Sequence, residues 1–203
     1  AFEADDVLGT IANDASSKGW CVYILSGDRD LFQLVSDQKD IYVLYMGGGP
    51  YAKSGNPTLI NETGVREKLG VSPDRVVDLK ALTGDSSDNI PGIKGVGPKT
   101  AINLLKENDT LDGIYETFNT ILQNNNDKKY KGFIKGALIE KLKNDRHNAY
   151  LSRDLAKINT AVPLVLSNTY ELNKINRKSL SESLQKLELS TLLRQTDIFN
   201  AAF

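Results

Sequence analysis

Two short apolar runs, WCVYILS at residues 20–26 and IYVLYM at residues 41–46, constrain the fold more than any other feature of the sequence. Both are continuous, apolar and rich in β-branched and aromatic residues, so each predicts a strand. The first run lacks polar alternation, which is typical of a strand buried on both faces of a parallel sheet. Helices are predicted before it, in FEADDVLGTIANDASSKG, and after it, in RDLFQLV. The order helix, strand, helix, strand indicates an α/β layer.

The chain from Asn61 onward predicts a second, mostly helical region. Its apolar periodicity favours helices in ETGVREKLG, SPDRVVDLKALTG, PKTAINLLKEN, LDGIYETFNTIL and YKGFIKGALIEKLKN. We expect residues 1–80 to form the α/β core, residues 81–160 to form a helical subdomain, and residues 161–203 to pack back on the core. A length of 203 residues, 40% of them hydrophobic, suits one globular domain with a small appended subdomain.

The charge is divided unevenly along the chain. Residues 1–89 carry 8 Lys and Arg against 14 Asp and Glu, a balance of −6, whereas residues 90–203 carry 17 against 12, a balance of +5. The two halves sum to the net charge of −1. An acidic half beside a basic half fits a metal site next to a surface that binds a polyanion, although chance produces such a split in ordinary domains as well.

Membrane and extracellular classes of protein are not indicated. No apolar run approaches the roughly 18 residues of a membrane span, and no signal peptide is visible. The single cysteine, Cys21, lies in the first apolar run, which predicts a buried, reduced thiol in a cytosolic protein. Neither a disulfide framework nor a zinc site is predicted.

Three acid clusters stand at the ends of predicted elements. They are Glu3, Asp5 and Asp6 in EADD, Asp28 and Asp30 in SGDRD, and Asp85 and Asp88 in TGDSSDN. Taken singly, each has a plain explanation, because acids complement a helix N-terminus and Asp residues cap turns and helices. Taken together, these seven carboxylates need counter-charge, and Arg29 is the one basic residue in the same segments. Divalent metal ions would supply that charge. A pair of such ions can stabilise both the attacking and the leaving oxygen in phosphodiester hydrolysis.

A glycine hairpin follows the last acid cluster. The segment GIKGVGPKTAINLL has neither the order of a dinucleotide fingerprint nor that of a P-loop. It predicts a helix, a tight hairpin and a second helix opened by Pro98, an arrangement whose backbone N–H groups can hold phosphate. A plain connector between two helices is the alternative. The candidate phosphate-binding residues are Gly92, Lys94, Gly95, Val96, Gly97, Lys99 and Thr100.

The ordered motifs EADD, SGDRD and ALTGDSSDNIPGIKGVGPKTA resemble the 5′-nuclease family, in the form found as the 5′→3′ exonuclease domain of bacterial DNA polymerases I. The later segments LSRDLAKINTAVPL and LELSTLLRQ are also similar to that domain, so the resemblance covers nearly the whole chain. It implies a partial parallel-sheet core of the resolvase or PIN type. It also implies a helical helix–three-turn–helix subdomain that binds duplex DNA through residues 90–105.

The resemblance also implies cofactors, partners and an activity. The seven acids would bind two Mg²⁺ or Mn²⁺ ions, and the hairpin would bind K⁺. The substrates would be duplex DNA with a 5′ flap or nick and RNA–DNA primer junctions, cleaved during replication and repair. We further expect a monomer associated with polymerase domains in the bacterial cytoplasm, at the nucleoid.

The chain departs from the family pattern at its start. The family begins with strands that carry further acids and with a basic arch, and the only methionine here is Met46, so we expect a truncated nuclease. Two functions therefore stay open: a metal-dependent 5′→3′ exonuclease or flap endonuclease, and a catalytically incomplete fragment that binds duplex DNA. A purely structural helical domain would leave the acids and the hairpin unexplained.

Overall fold

A computed structural model describes residues 2–47, 56–123, 132–164 and 176–194. The chain divides into two compact units, residues 1–164 and residues 165–203. The first unit contains the sheet, seven of the helices described, the three acid clusters and the glycine hairpin.

The first unit begins with the predicted α/β layer. Helix α1 spans Ala4–Ser17, strand β1 spans Val22–Ser26, a 3-10 helix spans Asp30–Leu34, and strand β2 spans Ile41–Tyr45. Strands β1 and β2 are parallel, with Val22 opposite Ile41 and Ser26 opposite Tyr45. Helix α1 ends where Gly19 takes a positive φ of 81°, which an L side chain rarely adopts. The predicted α/β class and the parallel pair are confirmed.

The sheet differs from the prediction in two respects. A third strand, β3 at Thr58–Ile60, pairs antiparallel with β2, so the sheet is mixed. The expectation that the first strand is buried on both faces is wrong, because Tyr23 is 54% exposed and Leu25 is 60% exposed. Only the opposite face, which carries Ile24, packs into the core of the described residues. Cys21 is also exposed rather than buried.

The rest of the first unit is mostly helical in its described residues, as predicted, although the helix predicted in YKGFIKGALIEKLKN begins only at Ala137. A 3-10 turn at Pro73–Arg75 leads into α3, so the predicted helix from Ser72 is divided in two. The helices are α2 (Glu62–Leu69), α3 (Val76–Thr83), α4 (Pro98–Asn108), α5 (Leu111–Gln123), α6 (Ala137–Asn144) and α7 (Arg146–Ala156). One hydrophobic core runs from the sheet, through Phe32 and Val43, to Leu104 and Leu142 of the helices. The sheet and the helices therefore form a continuous scaffold, which fixes the acid-bearing strand ends relative to the helical region.

The described part of the second unit is a pair of short helices. Helix α8 spans Arg177–Lys186 and helix α9 spans Ser190–Arg194. The side chain of Asn176 caps α8 by accepting a hydrogen bond from the Ser179 N–H, and Leu184 of this helix is buried. In the part of the chain that the structure describes, no helix is long and apolar enough to cross a membrane.

Candidate active site and nucleic-acid interface

Three of the seven predicted acids meet at one point. One carboxylate oxygen from each of Asp30, Asp85 and Asp88 lies within 4.8 Å of the other two. Asp30 opens the 3-10 helix that follows β1, while Asp85 and Asp88 lie in the turn that follows α3. Two backbone hydrogen bonds between Asp85 and Ile90, of 2.9 and 2.8 Å, close that turn and hold its acids in place.

Lys80, on α3, is the basic partner of this acid cluster. Its Nζ contacts Asp30, lies 2.8 Å from Asp85 Oδ2 and lies 4.0 Å from Asp88 Oδ2. The acids therefore have a basic partner that lies outside the three acid segments and was not predicted from the sequence. Lys80 precedes Asp85 by five residues. Helix α3 ends at Thr83, between the two residues, and the Lys80 side chain contacts the turn that follows.

The ionisation of the cluster reflects burial and the Lys80 contacts. Hydrogen bonds from Lys80 and Ser87 lower the pKa of Asp85 to about 2. Burial raises the pKa of Asp30, and Lys80 opposes that shift in part. Burial by itself lowers the pKa of Lys80, but its hydrogen bonds to Asp30 and Asp85 outweigh burial and raise it. At neutral pH the cluster therefore holds the Lys80 ammonium group against the ionised carboxylate of Asp85.

Asp28 completes the acid lining of a cavity of about 640 Å³ around this cluster. Its Oδ1 accepts a hydrogen bond of 2.9 Å from the Asp30 N–H, so it caps a turn while it faces the cavity. Arg29 and Lys68 also line the cavity, and both lie against the ring of Tyr45. The cavity thus presents acids at the carboxyl end of β1 with cations at its rim, which is where open α/β sheets bind ligands.

The acids of α1 divide between two tasks. Burial raises the pKa of Asp5, and the negative charges of Asp28 and Glu3 raise it further. Asp6 instead has both carboxylate oxygens bonded to backbone: Oδ1 accepts from the Asn159 N–H at 2.8 Å, and Oδ2 accepts from the Glu3 N–H at 3.1 Å. Asp6 therefore fastens the start of α1 to the segment after α7, and it pairs with Glu3 in a capping box, in which each side chain accepts from the backbone N–H of the other residue.

The donor set of the cluster fits a hard divalent cation. Carboxylate oxygens from three separate residues converge, and hard cations such as Mg²⁺ favour oxygen ligands of this kind. A cysteine or histidine ligand is absent from this group, so the donors do not favour a softer metal. Asp30, Asp85 and Asp88 are the residues that would hold the ion.

A close backbone crossing links the acid turn to the glycine hairpin. Gly84, just before Asp85, has a φ of 69°, and Gly92, at the start of the hairpin, has a φ of 59°. A Cβ on Gly92 would lie 2.2 Å from the Gly84 nitrogen, and a Cβ on Gly84 would lie 2.6 Å from the Ile90 oxygen. Only glycine fits at both positions. The crossing therefore sets the separation between the acids and the hairpin.

The hairpin is held from behind by α6 and α7. The Gly92 N–H donates to Ser152 Oγ at 2.9 Å, and the Lys94 N–H donates to Asp145 Oδ2 at 2.9 Å. Lys141 Nζ donates to the Gly95 carbonyl at 2.8 Å. Because Ser152 is fully buried, its bond to Gly92 is shielded from water. These contacts make the hairpin a rigid element of the surface.

The same contacts show which backbone donors stay available for a ligand. Within the described residues, no protein acceptor bonds the N–H groups of Gly95, Gly97, Lys99 or Thr100. Helix α4 begins at Pro98, so the last two donors belong to its first turn, where a helix attracts anions. Val96 is buried, and the N–H groups of Gly92 and Lys94 are already bonded. The predicted phosphate-binding site therefore retains four free backbone N–H donors, which lie beside the exposed Lys94 and Lys99 side chains.

Several residues that build this surface are missing from the candidates drawn from the sequence. Lys80 belongs to the acid cluster, while Ser152, Asp145 and Lys141 support the hairpin. The last three lie 46 to 60 residues from their partners, so no local pattern connects them. Lys80 stands close to Asp85 in the sequence, and that spacing is the one available signal.

The sequence is similar to those of bacterial DNA polymerases I and of a bacterial 5′-3′ exonuclease. DNA polymerase I of Synechocystis sp. is 43% identical over 203 residues, which is 100% of this chain and 19% of that protein. The 5′-3′ exonuclease of Bacillus subtilis is 32% identical over 200 residues, covering 98% of this chain and 61% of that protein. The chain thus spans less than two thirds of the length of either relative.

Solved structures share the fold at low sequence identity. T5 5′-exonuclease with bound zinc ions has a TM-score of 0.59 and 19% identity, covering 78% of this chain and 51% of that one. The catalytic core of Rad2 in complex with DNA substrate has a TM-score of 0.54 and 18% identity, covering 90% of this chain and 54% of that one.

Two family models divide the chain between them. The N-terminal resolvase-like domain of 5′-3′ exonucleases matches residues 1–70, and the C-terminal SAM fold of the same enzymes matches residues 71–180. Together they cover the sheet, the acid turn and the hairpin. The chain therefore belongs to the 5′-3′ exonuclease family.

Proposed function

We propose that this chain is the catalytic and duplex-binding part of a metal-dependent 5′→3′ exonuclease and flap endonuclease. The observation that carries the proposal is the single segment from Asp85 to Thr100, which joins a carboxylate cluster to a set of unpaired backbone donors. The Gly84–Gly92 crossing keeps the two at a constant separation. Such an arrangement holds a nucleic-acid backbone at one place and hydrolyses it at another.

The acids serve as metal ligands in this proposal. Asp30, Asp85 and Asp88 hold one divalent ion, and Glu3, Asp5 and Asp28 provide ligands toward a second. Divalent ions such as Mg²⁺ or Mn²⁺ supply activation of water and stabilisation of the leaving oxygen. Hydrolysis consumes one water and breaks one phosphorus–oxygen bond of the strand. Asp6 acts through α1, because its bonds to Asn159 and Glu3 orient the start of that helix.

The hairpin binds the phosphate backbone of the duplex. The N–H groups of Gly95, Gly97, Lys99 and Thr100 hold phosphate oxygens, and the Lys94 and Lys99 side chains add charge. A K⁺ ion at the hairpin carbonyls would strengthen the same contact. Binding of this kind carries no base specificity and weakens as salt rises.

The wider setting follows from the family and its relatives. The substrates are 5′ ends at nicks and flaps and at RNA–DNA primer junctions, and the chain works as a monomer joined to or associated with polymerase domains. DNA polymerase I relatives support that association. The proposed location is the bacterial cytoplasm, at the nucleoid. Residues 1–80 form the nuclease core, residues 81–160 the duplex-binding subdomain, and residues 161–203 a C-terminal segment.

Cleavage of a labelled flap substrate in Mg²⁺ tests the proposal. Asp85→Ala is expected to abolish most of the cleavage, because it removes a ligand from the cluster. Asp154→Ala is the matched control, because Asp154 is an exposed carboxylate of α7 that does not line the acid cavity. Equal turnover by the Asp85→Ala variant and the parent protein would refute the proposed activity.

A duplex-binding fragment without cleavage is the second candidate. It is favoured by one observation: only three of the seven acids lie within 4.8 Å of one another. It predicts duplex binding that falls steeply with salt, is weakened by Lys99→Ala and is unaffected by Lys39→Ala, with no product in Mg²⁺ or Mn²⁺. Metal-dependent product formation by the protein rejects this candidate.

A further inference from the structure

We propose that Lys80 is a tethered cation that competes with the divalent ion for the Asp30, Asp85 and Asp88 carboxylates and so sets the metal affinity of the site. This inference rests on the metal-dependent function proposed above and concerns the regulation of the same site. It follows from the contacts of one side chain that the acid motifs do not predict.

The contacts of Lys80 coincide with the oxygens that a metal ion would use. The Nζ contacts Asp30 and Asp85 directly and stands 4.0 Å from Asp88. These are the same three residues whose oxygens converge within 4.8 Å. One ammonium group therefore reaches the whole predicted ligand set.

The tether that carries this ammonium group is rigid. Lys80 lies in α3, between Leu79 and Ala81, which are both buried in the hydrophobic core. Its side chain is only 14% exposed, so it is not a freely moving surface lysine. The group can retreat by rotation of its side chain, but its backbone cannot leave the site.

Electrostatics make the lysine a competitor of the metal ion. An ammonium group has three donors and no acceptor, so it cannot serve as a metal ligand. Two positive charges a few ångströms apart in a half-buried site repel each other strongly. A divalent ion that binds these oxygens must therefore displace Nζ from at least one carboxylate. The lysine also holds the acids together until an ion arrives, because unpaired carboxylates repel one another.

Titration with Mn²⁺, followed by electron paramagnetic resonance of the free ion, tests the competition. Lys80→Met keeps the length of the side chain and removes its charge, and it is expected to tighten Mn²⁺ binding by about tenfold or more. Lys68→Met is the matched control, because Lys68 lines the same cavity but lies over the Tyr45 ring. Unchanged or weaker binding by Lys80→Met, or equal tightening by Lys68→Met, would overturn the inference.

A second measurement uses the parent protein and does not depend on the folding of a variant. Acetylation of lysine amines by an activated ester, read residue by residue by mass spectrometry, reports how firmly each ammonium group is held. Mg²⁺ is expected to raise the acetylation rate of Lys80 several-fold and to leave that of Lys68 unchanged. A Lys80 rate that is unchanged or reduced by Mg²⁺ would show that the ion does not displace the lysine.

The failure of this inference differs from the failure of the proposed function. A protein that cleaves flap DNA while Lys80→Met binds Mn²⁺ no more tightly rejects the competition alone. A protein whose Mn²⁺ affinity responds as expected but which forms no product rejects the nuclease activity alone.

Discussion

The substitution Gly92→Ala tests the backbone crossing that joins the acid turn to the hairpin. Gly92 has a φ of 59°, and an added Cβ would lie 2.2 Å from the Gly84 nitrogen and 2.6 Å from the Thr83 carbonyl carbon. These neighbours are backbone atoms, which cannot turn aside as a side chain can. The two segments must therefore move apart by about 1 Å to restore ordinary contact.

The cost has two parts that can be separated. The left-handed backbone conformation costs an alanine about 1–2 kcal/mol. Moving the segments apart weakens the Ile93 N–H bond to the Leu82 carbonyl and the Gly92 N–H bond to Ser152, both of 2.9 Å. Each such bond contributes about 1 kcal/mol. We therefore expect Gly92→Ala to lower the free energy of unfolding by about 3–4 kcal/mol, a large share of a typical domain's stability.

Urea denaturation followed by circular dichroism measures this change, and Gly136→Ala provides the control. Gly136 also has a φ of 59°, but an added Cβ there meets nothing within 4 Å. Gly136→Ala should therefore lower the free energy of unfolding only by the cost of the backbone conformation, about 1–2 kcal/mol. If the two variants lose the same free energy of unfolding, the crossing contributes nothing, and the reasoning about the spacing of acids and hairpin is refuted.

Three further predictions concern the supports of the site. Ser152→Ala should lower the free energy of unfolding by about 1–3 kcal/mol in urea, because it leaves the buried Gly92 N–H without an acceptor, and an unchanged value would contradict this. Asp6→Ala should lower the free energy of unfolding by about 1–2 kcal/mol, because two acceptor oxygens are lost. The same variant should reduce Mn²⁺ affinity less than Asp85→Ala does. An equal loss of Mn²⁺ affinity in the two variants would make Asp6 a ligand. The Asp112 carboxylate on α5 accepts hydrogen bonds from Tyr150 and Arg153 of α7. Burial raises the pKa of Asp112, but these hydrogen bonds outweigh burial and lower the pKa below 3.8. The contribution of Asp112 to protein stability is therefore present above pH 3.8 and is lost as the pH falls further. Asp112→Asn should therefore destabilise the protein by less than about 1 kcal/mol at pH 7, and by less still at pH 3; a constant difference would contradict the assigned shift.

Local sequence patterns predicted the secondary-structure elements of this protein better than they predicted which faces of those elements are buried. The runs around Ile24 and Val43 predicted two parallel strands, because an apolar, β-branched run has few alternatives. The short β3 escaped prediction, since a strand of three residues carries little periodic signal. The exposure of Leu25 was not predictable either, because burial depends on which elements cover a face.

The site shows the same division. Acid motifs and the glycine hairpin are local in sequence, so Asp85, Asp88 and Gly97 could be chosen as candidates without a structure. Whether acids meet depends on how distant segments pack, and packing brought Asp30 to the turn of Asp85. Asp6 has the same chemistry as Asp5, yet a backbone N–H 153 residues away occupies one of its oxygens.

The sequence by itself determined the fold class, the family and the segments that carry acids and phosphate donors, because these depend on residue type and short spacing. Only the tertiary structure decided which of those groups are available to bind a metal ion or a phosphate. Lys80 became the counter-charge of the acids, and Ser152 and Asp145 took two donors of the hairpin. The physical reason is that charge pairing and hydrogen bonding act over a few ångströms in space, whatever the separation along the chain.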